Sequence, residues 1–230
     1  MTQRCLPLLV ILVALSMPAY AAEIVFSNLS PPDNSYNGSA GTVISGPDVL
    51  PIAPQIPAVA FTPDDDFTLT QIGVALIHQP SGTNSAMLSL DSSSGGLPHG
   101  TIESWILTGL PRFGNNTILQ TVTPDMPVSL VSGTQYWLVV SPIADDTIDV
   151  WNFSLTDTTS PTAVSHNGGS SFSLTPLSRR PAFAVLGNPV GNEVPEPTSL
   201  VLLAIGIVGM VILGAIPLRA RPSESRDGRR

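Results

Sequence analysis

Phe67-Thr68-Leu69-Thr70-Gln71-Ile72-Gly73-Val74-Ala75-Leu76-Ile77 decides the fold class. Phe67 and Leu69 alternate with Thr68 and Thr70, and after a one-residue change of phase Ile72, Val74 and Leu76 continue against Gly73, Ala75 and Ile77. A period of two puts successive side chains on opposite faces of a strand, and a bulge or break near Gln71 accounts for the change of phase. Leu88 and Leu90 flank Ser89, and Trp151, Phe153 and Leu155 alternate with Val150, Asn152 and Ser154. Phe172 with Leu174, and Phe183 with Val185, repeat the spacing. Gln135 to Val140 is a nearly continuous run of β-formers, the pattern of a central strand.

Turn signals separate these runs: Pro31-Pro32-Asp33-Asn34, Pro63-Asp64-Asp65-Asp66, Ser94-Gly95-Gly96-Leu97-Pro98, Ser132-Gly133 and Asn167-Gly168-Gly169. Gly and Asn accept the positive φ that such turns need, and Pro presets φ while removing a ladder donor. The middle of the chain holds no apolar helical spacing sustained over three turns, so the expectation is all-β, two antiparallel sheets packed as a jelly-roll-like β-sandwich. Glycines and prolines crowd Pro31 to Pro57, which predicts long loops there.

The ends read differently. Arg4, an apolar stretch from Leu6 to Met17 and the small residues of Ala19-Tyr20-Ala21 have the order of a cleaved secretory signal over 1–21. At the other end Asn188 to Thr198 is a Pro/Gly/Asn linker, 199–217 is an uncharged apolar segment, and Arg219 and Arg221 open an arginine-rich tail over 218–230. A run of this length is at the short end of what crosses a hydrocarbon core of about 30 Å. The arginines place the tail in the cytoplasm, so the 22–187 ectodomain is expected outside the inner membrane.

Composition fits export. The one cysteine of the 230 residues, Cys5, lies in the signal, so the ectodomain can use neither a disulfide nor a cysteine metal site. Between Glu23 and Glu196 stand 15 acidic side chains against Arg112, Arg179 and Arg180, a balance of −12. That surface repels phosphate backbones and excludes nucleic acid as a partner.

Chemistry-bearing patterns are sparse. His78, His99 and His166 each lie beside a turn residue, which predicts exposed loop histidines; a Ser-His-Asp site would need one of them buried against a carboxylate. Glu103 beside Trp105 lacks the second carboxylate that glycoside hydrolysis requires. An enzyme is not expected. Two turn clusters, Asp64-Asp65-Asp66 and Asp145-Asp146 with Asp149, could offer oxygens to calcium, but neither has EF-hand spacing and solvated turns are the plainer reading. Asp91 before Ser92-Ser93-Ser94-Gly95 reads as an Asx turn. No resident cofactor follows. Trp137 and Trp151 read as core residues, whereas the register of Trp105 stays open. The sequons at Asn28, Asn37, Asn115 and Asn152 read as exposed turns.

Val194-Pro195-Glu196-Pro197, the apolar segment and the arginines, in that order, resemble the PEP-CTERM sorting signal of biofilm-forming Gram-negative bacteria. The resemblance covers the C-terminal end from Val194; the tail beyond the span, through Ser223-Glu224-Ser225, is long for that pattern. It implies recognition by a membrane-embedded exosortase, with Val194, Pro195, Glu196 and Pro197 as the signal, and delivery to the cell surface or an exopolysaccharide matrix. The middle resembles the choice-of-anchor R ectodomains, through Ile24-Val25-Phe26-Ser27-Asn28-Leu29, Ala60-Phe61-Thr62-Pro63, Gly95-Gly96-Leu97-Pro98 and Leu130 to Leu138. That likeness implies a β-sandwich and no defined activity. The expected function is an exported, non-catalytic surface or matrix protein; the alternative is a carbohydrate-binding or calcium-dependent adhesion ectodomain.

Overall fold

The structure is a computed structural model, and it describes residues 22–113, 118–176 and 179–191. The expected signal over 1–21, the span over 199–217 and the sorting residues Val194, Pro195, Glu196, Pro197, Arg219 and Arg221 lie outside the described residues. Within those residues there is no α-helix, and every strand pairing is antiparallel. The all-β expectation holds.

Three sheets carry the chain. One joins β1 (Glu23–Ser27), β14 (Phe183–Pro189) and β4 (Phe67–Val74), with β8 (Gln120–Val122) and β9 (Ser129–Leu130) both paired to β4. The second has three strands: β2 (Asn37–Ser45), β11 (Ile148–Phe153) and β5 (Leu76–His78). The third has six, in the order β13 (Ser173–Leu174), β12 (Thr162–Ser165), β3 (Ile56–Phe61), β10 (Tyr136–Pro142), β6 (Ser85–Ser94) and β7 (Leu97–Thr108). The β-former run β10 lies between β3 and β6, as a strand buried on both faces should.

The phase change after Thr70 has a structural cause. Leu186 pairs with Gln71 and Gly187 with Leu69, so Thr70 is an extra residue in β4. Ala75 then ends β4, and Leu76–His78 leaves for the three-stranded sheet. The same apolar period thus serves two sheets in succession.

Pro31 to Pro57 is not the loop region expected: β2 occupies nine of its residues. Thr42, Val43 and Ile44 are strand formers, and at Gly41 the backbones come close, because a Cβ there would stand 2.3 Å from the Trp151 carbonyl oxygen. Glycine in this stretch marks a tight approach between strands rather than slack chain. At the other end β14 runs through Asn188 and Pro189, into the stretch read as linker.

All three sheets contribute to one core. Val25, Phe67, Ile72 and Phe183 meet Ile44, Leu76 and Trp151, and both groups meet Val59, Phe61, Leu88, Leu90, Leu138 and Val140 from one face of the six-stranded sheet. Phe26 stacks on Phe183 with ring centroids 5.0 Å apart. The other face of the six-stranded sheet carries a second cluster: Ile56, Ala58, Ala60, Trp137, Val139 and Ala163, with Leu97 and Phe172 packed over it. Trp137 and Trp151 are both core residues, as expected. Leu155 lies past the end of β11 and is exposed, so it does not share the Trp151 face as the alternation suggested.

Candidate functional site

Two buried carboxylates stand out, and the sequence reading placed both in turns. Asp149 is not part of the Asp145-Asp146 turn. It lies inside β11, opposite His78 of β5 and Ile44 of β2, with no exposed surface. His78, expected in an exposed loop, is a strand residue at 6% exposure whose Nδ1 donates to Asp149 Oδ1 at 2.7 Å. The apolar residues around it, Leu76 and Ile77, carry it inward as part of the strand that Gln79 and Pro80 terminate. Burial pushes the Asp149 carboxyl up to about 6, against the hydrogen bond and charge of His78. This is the His–carboxylate contact that nucleophilic catalysis would require, with both partners buried.

Asp91 is the other. It belongs to β6 rather than to an Asx turn, opposite Trp137 on the outer face of the six-stranded sheet. Two irregularities bracket it: Leu90 pairs with Glu103, Asp91 with Thr101 and Ser92 with His99, so Ile102 and Gly100 are extra residues in β7. Bulges of this kind bend a strand and re-aim side chains. Asp91 is 8% exposed and its Oδ1 has no hydrogen-bond partner. Burial raises its carboxyl above the usual range, opposed by hydrogen bonds from Ser89 and Thr101.

Asp91 lines a cleft of about 460 Å³. One wall is the β6–β7 hairpin, contributing Ser94, Leu97, Pro98, His99 and Thr101; the other is the Gly169–Phe172 turn between β12 and β13. Both walls are locally braced. Gly95 and Gly96 adopt φ of 60° and 76°, the two positive values of a type I′ hairpin turn. Ser92 Oγ donates to the Gly100 carbonyl at 3.2 Å. Across the cleft, Asn167 Oδ1 accepts from Ser171 N at 3.0 Å, its Nδ2 donates to Ser171 Oγ at 2.8 Å, and Gly169 N donates to Ser165 Oγ at 2.9 Å. Beneath, Trp137 Nε1 donates to Ser93 Oγ at 3.3 Å. His99 therefore lies in a strand, not a loop, although it is exposed; His166 is exposed in a turn, as expected.

The other sequence candidates have structural partners. Asp64, Asp65 and Asp66 are exposed, and Asp66 Oδ1 accepts from Ser132 N at 2.7 Å while Ser132 Oγ donates to the Asp64 carbonyl at 2.6 Å. Asp145 and Asp146 are exposed, with Thr83 Oγ1 donating to Asp146 Oδ1 at 2.7 Å. Among the described residues no three His, Cys, Asp or Glu side chains gather in a group that could hold a metal ion. Glu103 Oε1 accepts from Asp125 N at 2.6 Å, and Trp105 packs against the main core with its Nε1 donating to the Thr123 carbonyl at 2.9 Å. Three sequons are not exposed turns: Asn152 is fully buried, Asn37 opens β2 half-buried, and Asn28 donates to the Pro181 carbonyl at 2.8 Å and accepts from Phe183 N at 2.8 Å, while Asn115 lies outside the described residues.

The cleft was missed because its parts lie far apart in sequence. Only the glycines at 95, 96, 100, 168 and 169 marked its two walls, and a glycine-rich turn alone carries no chemistry. Compared with known protein families and with curated proteins, the chain matches no family model and no curated protein.

Proposed function

We propose that the chain is an exported, non-catalytic surface or matrix protein: one β-sandwich domain of jelly-roll kind, carried out by the N-terminal signal and addressed by the C-terminal segment. On this reading the chain is held by a single apolar span until a membrane-embedded exosortase acts at Val194-Pro195-Glu196-Pro197, and the domain ends at the cell surface or in an exopolysaccharide matrix. Arg219 and Arg221 hold the tail on the cytoplasmic side.

The observation that supports this most is where the β domain begins and ends. The first strand starts at Glu23, directly after Ala19-Tyr20-Ala21, and the last stops at Pro189, before Val194. Those two strands pair with each other, Glu23 opposite Gly187 and Ile24 opposite Leu186. Processing at either terminal segment would remove none of the described strands and break none of their ladder hydrogen bonds. A detachable address needs that arrangement.

An epitope inserted at Leu50, which is 85% exposed in a turn, tests the location by cell fractionation. The epitope is expected outside the inner membrane; an intact chain found only in the cytoplasm overturns the proposal. Glu196→Ala is expected to change where the domain accumulates while leaving its melting temperature unchanged. A folding defect in that variant would show that the segment is no separate signal.

A further inference from the structure

We propose that the cleft over the outer face of the six-stranded sheet binds a neutral polyol, a sugar unit of a glycan, with Asp91 as the acceptor for its hydroxyls. The proposal rests on the β domain alone and not on the export route.

The volume of about 460 Å³ lies within the range of small-molecule sites, about 300–1,000 Å³. Its lining selects the ligand. Ser94, Thr101, Ser170 and Ser171 bring hydroxyls, His99 an imidazole, and Leu97, Pro98 and Phe172 apolar surface. Hydroxyl donors and acceptors beside an aromatic ring and aliphatic patches match a sugar, which presents hydroxyls at its rim and C–H groups on its faces. The cleft has no lysine or arginine in its lining and a carboxylate at its base, so a phosphate or another carboxylate would be repelled. Asp91 is the only carboxylate that lines it, which is too few anionic ligands for a calcium site of six to eight oxygens.

The Asp91 carboxylate is the decisive group. A buried acceptor without a partner costs about 1–3 kcal/mol, more when charged. The Oδ1 of this carboxylate is buried without a hydrogen-bond partner. Asp91 lines the cleft, so a sugar hydroxyl seated there approaches the open side of its carboxylate. The double bulge holds Asp91 in this position, and the type I′ turn on one side with the Asn167 bonds on the other keeps the walls in place before any ligand arrives. Preorganised walls reduce the ordering cost of binding.

The test uses the full chain in a sugar-free detergent, screened against an array of neutral and amino-sugar oligosaccharides, with hits titrated by calorimetry. Binding of at least one neutral glycan is expected. Asp91→Asn is expected to weaken it about ten-fold or more, the size of one charge-assisted hydrogen bond. Ser170→Trp, at an exposed turn position, is expected to fill the cleft and abolish binding with no change in melting temperature. Failure to bind any neutral glycan overturns the proposal. So does binding that Ser170→Trp leaves intact, which would place the ligand elsewhere. Binding confined to amino sugars such as glucosamine oligomers overturns it too, because a cation would then be what completes Asp91.

Discussion

Asp149 and Asp91 are the same residue type in the same kind of element, each on an inner strand of its sheet, each raised by burial. Their surroundings separate them. Asp149 faces the main core, and its partner His78 is one rung away in the ladder. Asp91 lies on the outer face of its sheet, opposite Trp137, and lines a cleft. His78 answers one oxygen of Asp149, although Asp149 Oδ2, like Asp91 Oδ1, is buried without a hydrogen-bond partner. On the outer face the answering group can come from solvent or a ligand. Burial alone therefore does not mark a site; burial with an open side does.

The sharpest way to break this contrast is to remove each carboxylate's support. His78→Ala leaves Asp149 buried and unpaired, and the expected loss is about 3–5 kcal/mol by chemical denaturation at pH 7. Asp91→Asn, which keeps size and one acceptor, is expected to cost less than about 1 kcal/mol. Equal losses would erase the distinction.

Acidity offers a second, smaller test. The folded Asp149 carboxyl titrates at about 6, above its ordinary value of 3.8, so between those values the folded chain holds more proton than the unfolded one. Its stabilising contribution is full below about 3.8 and is lost as pH rises through about 6. Asp149→Asn should flatten that part of the melting temperature profile, and a difference curve without slope between pH 4 and 6 would refute the assignment. Asp157 supplies an internal contrast of opposite sign. Burial acts to raise it, but hydrogen bonds from Ser160, Thr159 and Asn28 outweigh burial and leave it below 3.8. Its contribution is present above that value and is lost as pH falls.

The smallest expected effect concerns the cleft wall. A Cβ at Gly96 would meet nothing within 4 Å, so Gly96→Ala pays only for its positive φ, about 1 kcal/mol. Thermal melting measures that cost. A loss several times larger would mean that the hairpin tip is tied into the second apolar cluster more firmly than Leu97 alone accounts for.

Much of the fold was legible because period-two patterning is a local property. Phe67 to Val74, Leu88 to Leu90, Phe183 to Val185 and, apart from its first residue, Gln135 to Val140 are strands where alternation or β-former content required it. Pro31 to Pro57 was misread for a physical reason: Gly41 lacks a side chain because Trp151 crosses it, and a neighbour so distant in sequence leaves no local trace. His78 and Asp149 were misread in the same way. Each looked like a turn residue beside Gln79-Pro80 or Asp145-Asp146, and only strand pairing brings them to 2.7 Å.

Composition, alternation and turn chemistry were enough to specify an acidic, all-β stretch without cysteine between the two terminal segments, since each depends on residues close together in the chain. They could not say which buried polar group finds a partner. That depends on register across strands far apart in sequence, and on two bulges in β7 that turn Asp91 toward a cleft while the regular ladder of β5 and β11 closes Asp149 against His78.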